Sequence, residues 1–300
     1  MSRSATTSPL PARSGLVGGV CAQGRAGRWP WVALLLAAAL FLPAERGEAQ
    51  RLRGFGEAPI SQPLRRGLPE RPGGFTFCRL WFDSVRYESD GYGWSTDYPR
   101  GDLNLTLRLS ELTTASISGW LDGDQGTAAL RATDPNLFQC PFLFGSDVGT
   151  AGFSNAEIAA LREYFLKGGF LWVDDFWGTP AWRQWSSEMA RVLPEYPIVD
   201  LPLDHPLFGI VYTVEKIPQI SHMQYWRNSG GQTSERGWDS AEPHLRAILD
   251  EHERILVLMS HNTDIADGWE READDAAFFA LFSPQAYAIG VNVLVWMMTH

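Results

Sequence analysis

The chain has 300 residues, 45% of them hydrophobic and 20% charged, enough to bury one substantial core or one core with a small appendage. Its formal net charge is -10, unevenly spread: residues 1–49 carry five Arg and two Glu, which leaves 20 basic against 33 acidic groups in the remainder. With only two lysines, Lys167 and Lys216, that acidic remainder argues against a nucleic-acid partner, whose phosphates are bound mainly by Lys and Arg.

The first segment reads as a secretory leader. Arg25 and Arg28 precede an apolar run, Trp31 to Leu42, and small residues at Gly47 to Ala49 offer a cleavage point. Residues 1–49 are therefore expected to be a signal peptide, with an uncleaved membrane anchor as the alternative. Residues 50–74 are rich in Pro, Gly and Arg without hydrophobic period, the composition of a disordered tether. An exported, periplasmic or envelope-bound domain is expected over 75–300.

Within that domain, Phe75 to Phe82 (FTFCRLWF) is expected to be the first strand, with Asp83 just past its end. Glu88 to Arg100 has the glycines and proline of a loop but carries Tyr92, Trp94 and Tyr98. Leu105, Leu109 and Leu112 share a helical face, which favours a helix over the alternating-strand reading of Leu103 to Leu109. Leu137 to Gly145 (LFQCPFLFG) is an apolar run that predicts a buried strand.

The strongest local signals lie between Ser154 and Trp177. Ser154 and Glu157 have capping-box spacing; Ile158, Leu161 and Phe165 form one face; Gly168 or Gly169 supplies the left-handed stop. Phe170 to Val173 then reads as a parallel strand covered on both faces, ending at Asp174 and Asp175. Thr179 and Pro180 open a further helix, which Pro194 closes. Tyr196 to Gly209 is extended and contains Asp204 and His205. His244 to Leu249 and Arg254 to Met259 predict a hairpin, Ser260 to Glu270 a polar loop, and Asp274 to Phe282 and Pro284 to Met298 two helices, the last packed in the core and too short to cross a bilayer.

Ligands of open α/β sheets collect beyond the carboxyl ends of the strands. That edge is expected to gather Asp83, Ser146, Asp147, Asp174, Asp175, His261, Asn262 and Asp264. Such a set suits a divalent metal, for which Asp174, Asp175 and His261 are the candidate ligands, or a general acid and base. Asp97, Asp204 and His205 are further candidates. Trp94, Trp177, Trp226, Trp238 and Trp269 fall in predicted loops, where exposed indoles stack on sugars or anchor partners; Trp94, Trp177 and Trp269 join the candidate set, against the plainer reading of loops packed onto the domain. Of three cysteines, Cys78 and Cys140 lie in strand-like runs and read as small buried hydrophobes, a disulfide between them being open in an oxidising compartment.

Several blocks in order, Phe75 to Phe82, Trp94 to Pro99 (WSTDYP), Gly168 to Asp175 (GGFLWVDD), Asp204 to Phe208 (DHPLF), Asn262 to Asp264 with Gly268 to Glu270, and Gly290 to Asn292, resemble the bacterial family called domain of unknown function 4159, over about 75–298. The resemblance implies a class I glutamine amidotransferase-like, flavodoxin-like fold: a mostly parallel sheet with helices on both faces, here with a β-hairpin insertion. It also implies an envelope setting near MoxR-type ATPases and von Willebrand A domain proteins, with no activity attached. That superfamily uses a cysteine in a GxCxG elbow and a His two residues before a Glu. Cys140 lies between Gln139 and Pro141, and no histidine is followed two residues later by Glu, so neither glutamine amidotransfer nor a synthase partner is expected. Two functions follow: a non-catalytic envelope module binding a protein or glycan, with no cofactor, or a metal-assisted hydrolase of envelope glycan or peptide.

Overall fold

A computed structural model describes residues 73–88, 91–118 and 126–300. The predicted leader, and the tether as far as residue 72, lie outside the described residues. The domain is built on a seven-stranded sheet of β1 (Phe77–Trp81), β2 (Thr127–Arg131), β3 (Phe142–Ser146), β4 (Phe170–Phe176), β5 (Ile198–Asp200), β6 (His244–Leu249) and β7 (Ile255–His261). The order across it is β2-β1-β3-β4-β7-β6-β5. The first five strands in that order are parallel; β6 and β5 add on antiparallel, β6 forming the predicted hairpin with β7. The direction of winding reverses between β1 and β3, which opens a crevice beyond their carboxyl ends.

Alternate residues of the central strands feed two cores. Phe77, Phe144, Trp172 and Leu258 pack on one face with α1 (Arg100–Leu112) and α6 (Ala276–Thr299). Cys78, Leu143, Leu171, Val173 and Val257 pack on the other with α2 (Asn155–Leu166) and α3 (Gly178–Val192). Short helices α4 (Met223–Asn228) and α5 (Asp267–Glu270) sit in the connections flanking β6 and β7. The capping box at Ser154 and Glu157 is formed, and Gly168 takes φ +105 at the end of α2. Both faces of β4 are buried, as its lack of polar alternation requires.

Four expectations need correction. Leu137 to Gln139 is a 3-10 turn and β3 begins only at Phe142, because Pro141 has no N–H to give a ladder. Ser260 to Glu270 is polar but buried, since its side chains are consumed internally: Thr263 bridges Pro218 O and Ile220 N, and Asn262 bridges Gly178 N and Glu242 O. The two terminal helices run as one 24-residue α6 with Pro284 inside it. Phe278 and Phe282 before the proline and Ala286, Ile289 and Val293 after it share one core, so packing overrides the lost hydrogen bond. By length and composition α6 could cross a membrane, and 61% of its apolar window is buried within the domain.

The fourth concerns Cys78 of β1 and Cys140, which are joined in a disulfide spanning 62 residues of sequence. Both are fully buried, so the plain hydrophobic reading had the burial right and the chemistry wrong. Closing a loop of that length should stabilise the fold by about 4 kcal/mol in the chain-entropy view. Replacing both cysteines with alanine should lower the urea-unfolding free energy by about 2–4 kcal/mol. An unchanged midpoint, or Cys78 and Cys140 both alkylated in the unfolded protein without reductant, would contradict the bond.

Candidate functional site

The site begins with a buried arginine. Arg79 of β1 donates through Nε to Asp102 of α1 at 3.2 Å and through Nη1 to Thr96 O at 3.0 Å, and its guanidinium lies 4.8 Å from the Phe144 ring. Burial opposes its charge and Asp102 restores it, while burial outweighs Arg79 at Asp102 and pushes that carboxyl up to about 6. The clamp fixes the loop that carries Thr96 and Asp97 over the carboxyl edge of the sheet. Asp97, in the left-handed region at φ 62, accepts from Ser146 Oγ at 2.9 Å.

Three more edge residues share that backbone region: Asp147 (φ 51), Asp175 (φ 54) and Asn262 (φ 63). Asp and Asn tolerate it best, and such residues cluster where the chain must aim a side chain. Asp175 sits in an irregularity of the β4–β7 ladder between Val173 and Phe176. In an unbroken strand Asp174 and Asp175 would face opposite sides. With the ladder interrupted, both feel the charge of Asp97.

Asp147 follows β3 in an elbow spelled Gly145-Ser146-Asp147-Val148-Gly149, a left-handed residue between a strand and a 3-10 turn. The glycines are there for closeness. A Cβ on Gly149 would lie 2.5 Å from Ala181 Cβ of α3, and one on Gly145 would press on Val148 at 3.0 Å. Spacing and conformation are those of a nucleophile elbow, with a carboxylate at its centre. That carboxylate accepts from Gly93 N at 2.8 Å and packs beneath Gly91, where any Cβ would collide with it.

These residues surround a cavity of about 250 Å3. Its walls include Glu88, Asp97, Asp147, Asp175, Glu235, Asp264 and Glu270, against Arg236, Arg271 and His222, so acidic side chains outnumber basic ones. Trp177 and Tyr92 supply aromatic surface, and Trp177 Nε1 donates to Asp175 Oδ1 at 2.9 Å. Burial is the first cause of raised proton affinity throughout. Asp174, Asp175 and Asp264 stand well above the ordinary carboxylate range, Asp147 and Asp267 at about 7, and Glu270 at about 8, with the charge of Asp97 adding to each.

Of the residues singled out from sequence, Asp97, Asp147, Asp175, Asp264 and Trp177 line this cavity. Asp174 lies behind it, its Oδ2 accepting from Ala266 N at 2.8 Å. The others are placed elsewhere. Asp83 is exposed and paired with Arg131. Asp204 is exposed, and His205 caps the turn at Leu207 with its ring against Trp296. Trp94 packs on Trp81 and Tyr98, and Trp269 is fully buried against Phe144 and Trp172. Trp226 packs on Phe278 and Phe282, while Trp238 is 89% exposed.

His261 does not join Asp174 and Asp175 as a ligand set. Its Nδ1 faces Arg246 Nη1 at 2.8 Å and its Nε2 faces Gly178 O at 3.3 Å. Guanidinium only donates, so Nδ1 accepts and Nε2–H donates. Burial first, then Arg246, pull its pKa down to about 3, leaving a neutral, fully engaged ring. Among the described residues the carboxylates grouped as for a metal ion are instead Asp97, Asp264 and Asp267, with one oxygen of each within 4.8 Å of the others. Sequence reading missed Asp267, Glu88, Glu235, Glu270, Arg79 and Arg271. The elbow is legible in Gly145 and Gly149 around Asp147, where the central residue is neither the serine nor the cysteine that marks a nucleophile elbow.

Two predictions follow from this geometry. Gly149→Ala should destabilise the domain by about 1–3 kcal/mol through the clash with Ala181, measured by urea unfolding, whereas a neutral result would mean that α3 is not held so close. The raised carboxyls set the pH dependence. Unfolded, these groups ionise near pH 4; folded, Asp147 does so near 7, so between those values the folded state holds protons that the unfolded state lacks and stability falls as pH rises. His261 acts oppositely below about 6.5, one group against the eight raised carboxyls of Asp97, Asp102, Asp147, Asp174, Asp175, Asp264, Asp267 and Glu270. The thermal midpoint of chelator-treated protein should therefore decline from about pH 5 to about pH 8. Asp147→Asn should make the decline shallower, and a midpoint rising across that range would contradict the burial of these acids.

A comparison with curated proteins gives no match. Residues 81–298 match the family described as a domain of unknown function (DUF4159), and the chain therefore belongs to that family.

Proposed function

We propose that this chain is an exported module of the cell envelope that holds a positively charged group of an envelope peptide or glycan in its acidic cavity, without covalent catalysis. The observation that carries the reading is the convergence of Asp97, Asp147, Asp175 and Asp264, from four separate segments, around one cavity beside the Trp177 indole. Carboxylates in a partly dehydrated cleft pair strongly with ammonium or guanidinium, and an aromatic face adds cation–π attraction. Export is supported by the leader-like composition of residues 1–49 and by the Cys78–Cys140 disulfide, a bond favoured in oxidising compartments.

The parallel strand order and helices on both faces favour a flavodoxin-like, class I amidotransferase-like fold. On that reading the elbow carboxylate of Asp147 stands where the resemblance would put a thiol. Its hydrogen bond to Gly93 N restrains it as a loop anchor, which weighs against acyl transfer. Metal-assisted hydrolysis of glycan or peptide is the second reading, favoured by Glu270 and Asp147, whose carboxyls hold protons near neutral pH as general acids do.

The test is calorimetric titration of the protein with a soluble peptidoglycan fragment bearing a free lysine amine and with its Nε-acetylated form. Loss of one charge-assisted contact should weaken binding about tenfold to a hundredfold on acetylation, and Asp175→Asn or Trp177→Ala should weaken the free-amine fragment comparably. Equal affinity for the two fragments would overturn the reading. Turnover of either fragment, abolished in Asp147→Gln or Glu270→Gln, would establish the hydrolase instead.

A further inference from the structure

We infer that Asp97, Asp264 and Asp267, backed by the buried carboxylate of Asp174, hold one hard divalent cation of the calcium or magnesium class. The inference rests on the reading of the cavity as a site for positive charge and assigns the ion to one part of its wall. Three carboxylate oxygens from two distant segments lie within 4.8 Å of one another, close enough to share one ion. An all-oxygen, all-carboxylate set suits a hard cation and not a thiophilic one.

A separate observation points to the same place. Asp174 is fully buried, and while its Oδ2 accepts from Ala266 N, its Oδ1 has no hydrogen-bond partner. Ala266 lies between Asp264 and Asp267, so this carboxylate is held against the segment that carries both. Among charged groups it feels Asp97 most, and Asp264 in turn feels Asp97, Asp175, Asp267 and Asp174. A buried carboxylate oxygen with nothing to accept from costs on the order of 1–3 kcal/mol or more, which a cation would offset.

The neighbouring arginines supply only part of that charge. Arg79 is engaged by Asp102 and Thr96 O, and Arg271 is shared among Asp267, Glu270 and Asp274. The remaining hydrogen bonds leave lone pairs open: Asp97 Oδ2 accepts from Ser146, Asp264 Oδ1 from Asp267 N, and Asp267 Oδ2 from Met223 N. A bound ion would tie the loop of Asp97, the end of β4 and the segment leading into α5 into one rigid wall for the ligand cavity.

The experiment uses the full protein stripped with chelator and titrated separately with Ca2+ and Mg2+ by calorimetry, and with Tb3+ by indole-sensitised luminescence. One equivalent should bind, and Asp267→Asn and Asp174→Asn should each weaken it about tenfold or more. Asp83→Asn, on the exposed pair with Arg131, should leave it unchanged. Binding should also slow amide exchange in residues 91–99 and 262–270. No uptake by the folded wild type at millimolar ion, or uptake equally strong in both variants, would overturn the inference. If one variant does not fold, the other and the wild-type titration decide. Trp177→Ala, outside the ligand set, should keep the ion while losing the amine-bearing fragment. Loss of the ion with fragment binding intact would therefore sink this inference alone, and the reverse would sink only the reading of the cavity's organic ligand.

Discussion

A group of carboxylates cannot be buried at one sheet edge unless something answers their charge, and that constraint governs how this domain is put together. Desolvation and mutual repulsion both favour the protonated form, and Asp97 raises the proton affinity of every acid around it. The protein meets part of the demand with backbone amides, those of Gly93, Met223, Ala266 and Asp267 each donating to one carboxylate. Arg79 and Arg271 meet another part. The balance is left to protons or to a bound cation, which is why the edge reads as a site and not only as a scaffold.

Positioning follows from that demand. The Arg79 clamp holds the loop of Asp97 over the crevice, the bulge at Asp175 turns that acid into it with Asp174 behind, and the glycine-flanked elbow presents Asp147 where β3 meets α3. Each device costs stability through a left-handed backbone or a dehydrated charge, and two large cores on either side of the sheet offset that cost. Fold and site are thus coupled through the same strands. Trp172 shows the coupling in one residue: it fills the α6-side core against Phe144 and Trp269 while its indole N–H reaches Ser260 at 2.7 Å, one position from the edge.

Much of the scaffold could be read in advance because its signals are local. The Ser154–Glu157 box, the Gly168 stop and the apolar β4 segment depend on residues within a turn of one another, and the parallel edge then placed Asp147, Asp175 and Asp264 together. What escaped was non-local or contextual. Arg79 reads as a polar interruption of a strand until Asp102 is seen 23 positions away. Asp267 and Glu270 read as a solvated loop because nothing in SHNTDIADGWE reveals that Asp174 lies behind it. Pro284 reads as a helix break unless the continuous core on both sides is known, and His261 reads as a ligand until Arg246 and Gly178 occupy its nitrogens.

Whether a cation answers the charge of this edge decides how its buried acids are held. Anomalous diffraction at the manganese edge, from crystals of the protein equilibrated with Mn2+, addresses that directly. A single strong peak is expected, bounded by carboxylate oxygens of Asp97, Asp264 and Asp267, with Asp174 beside it. No peak there, with those carboxylates paired to one another through shared protons at ordinary hydrogen-bond distances, would contradict the bound cation.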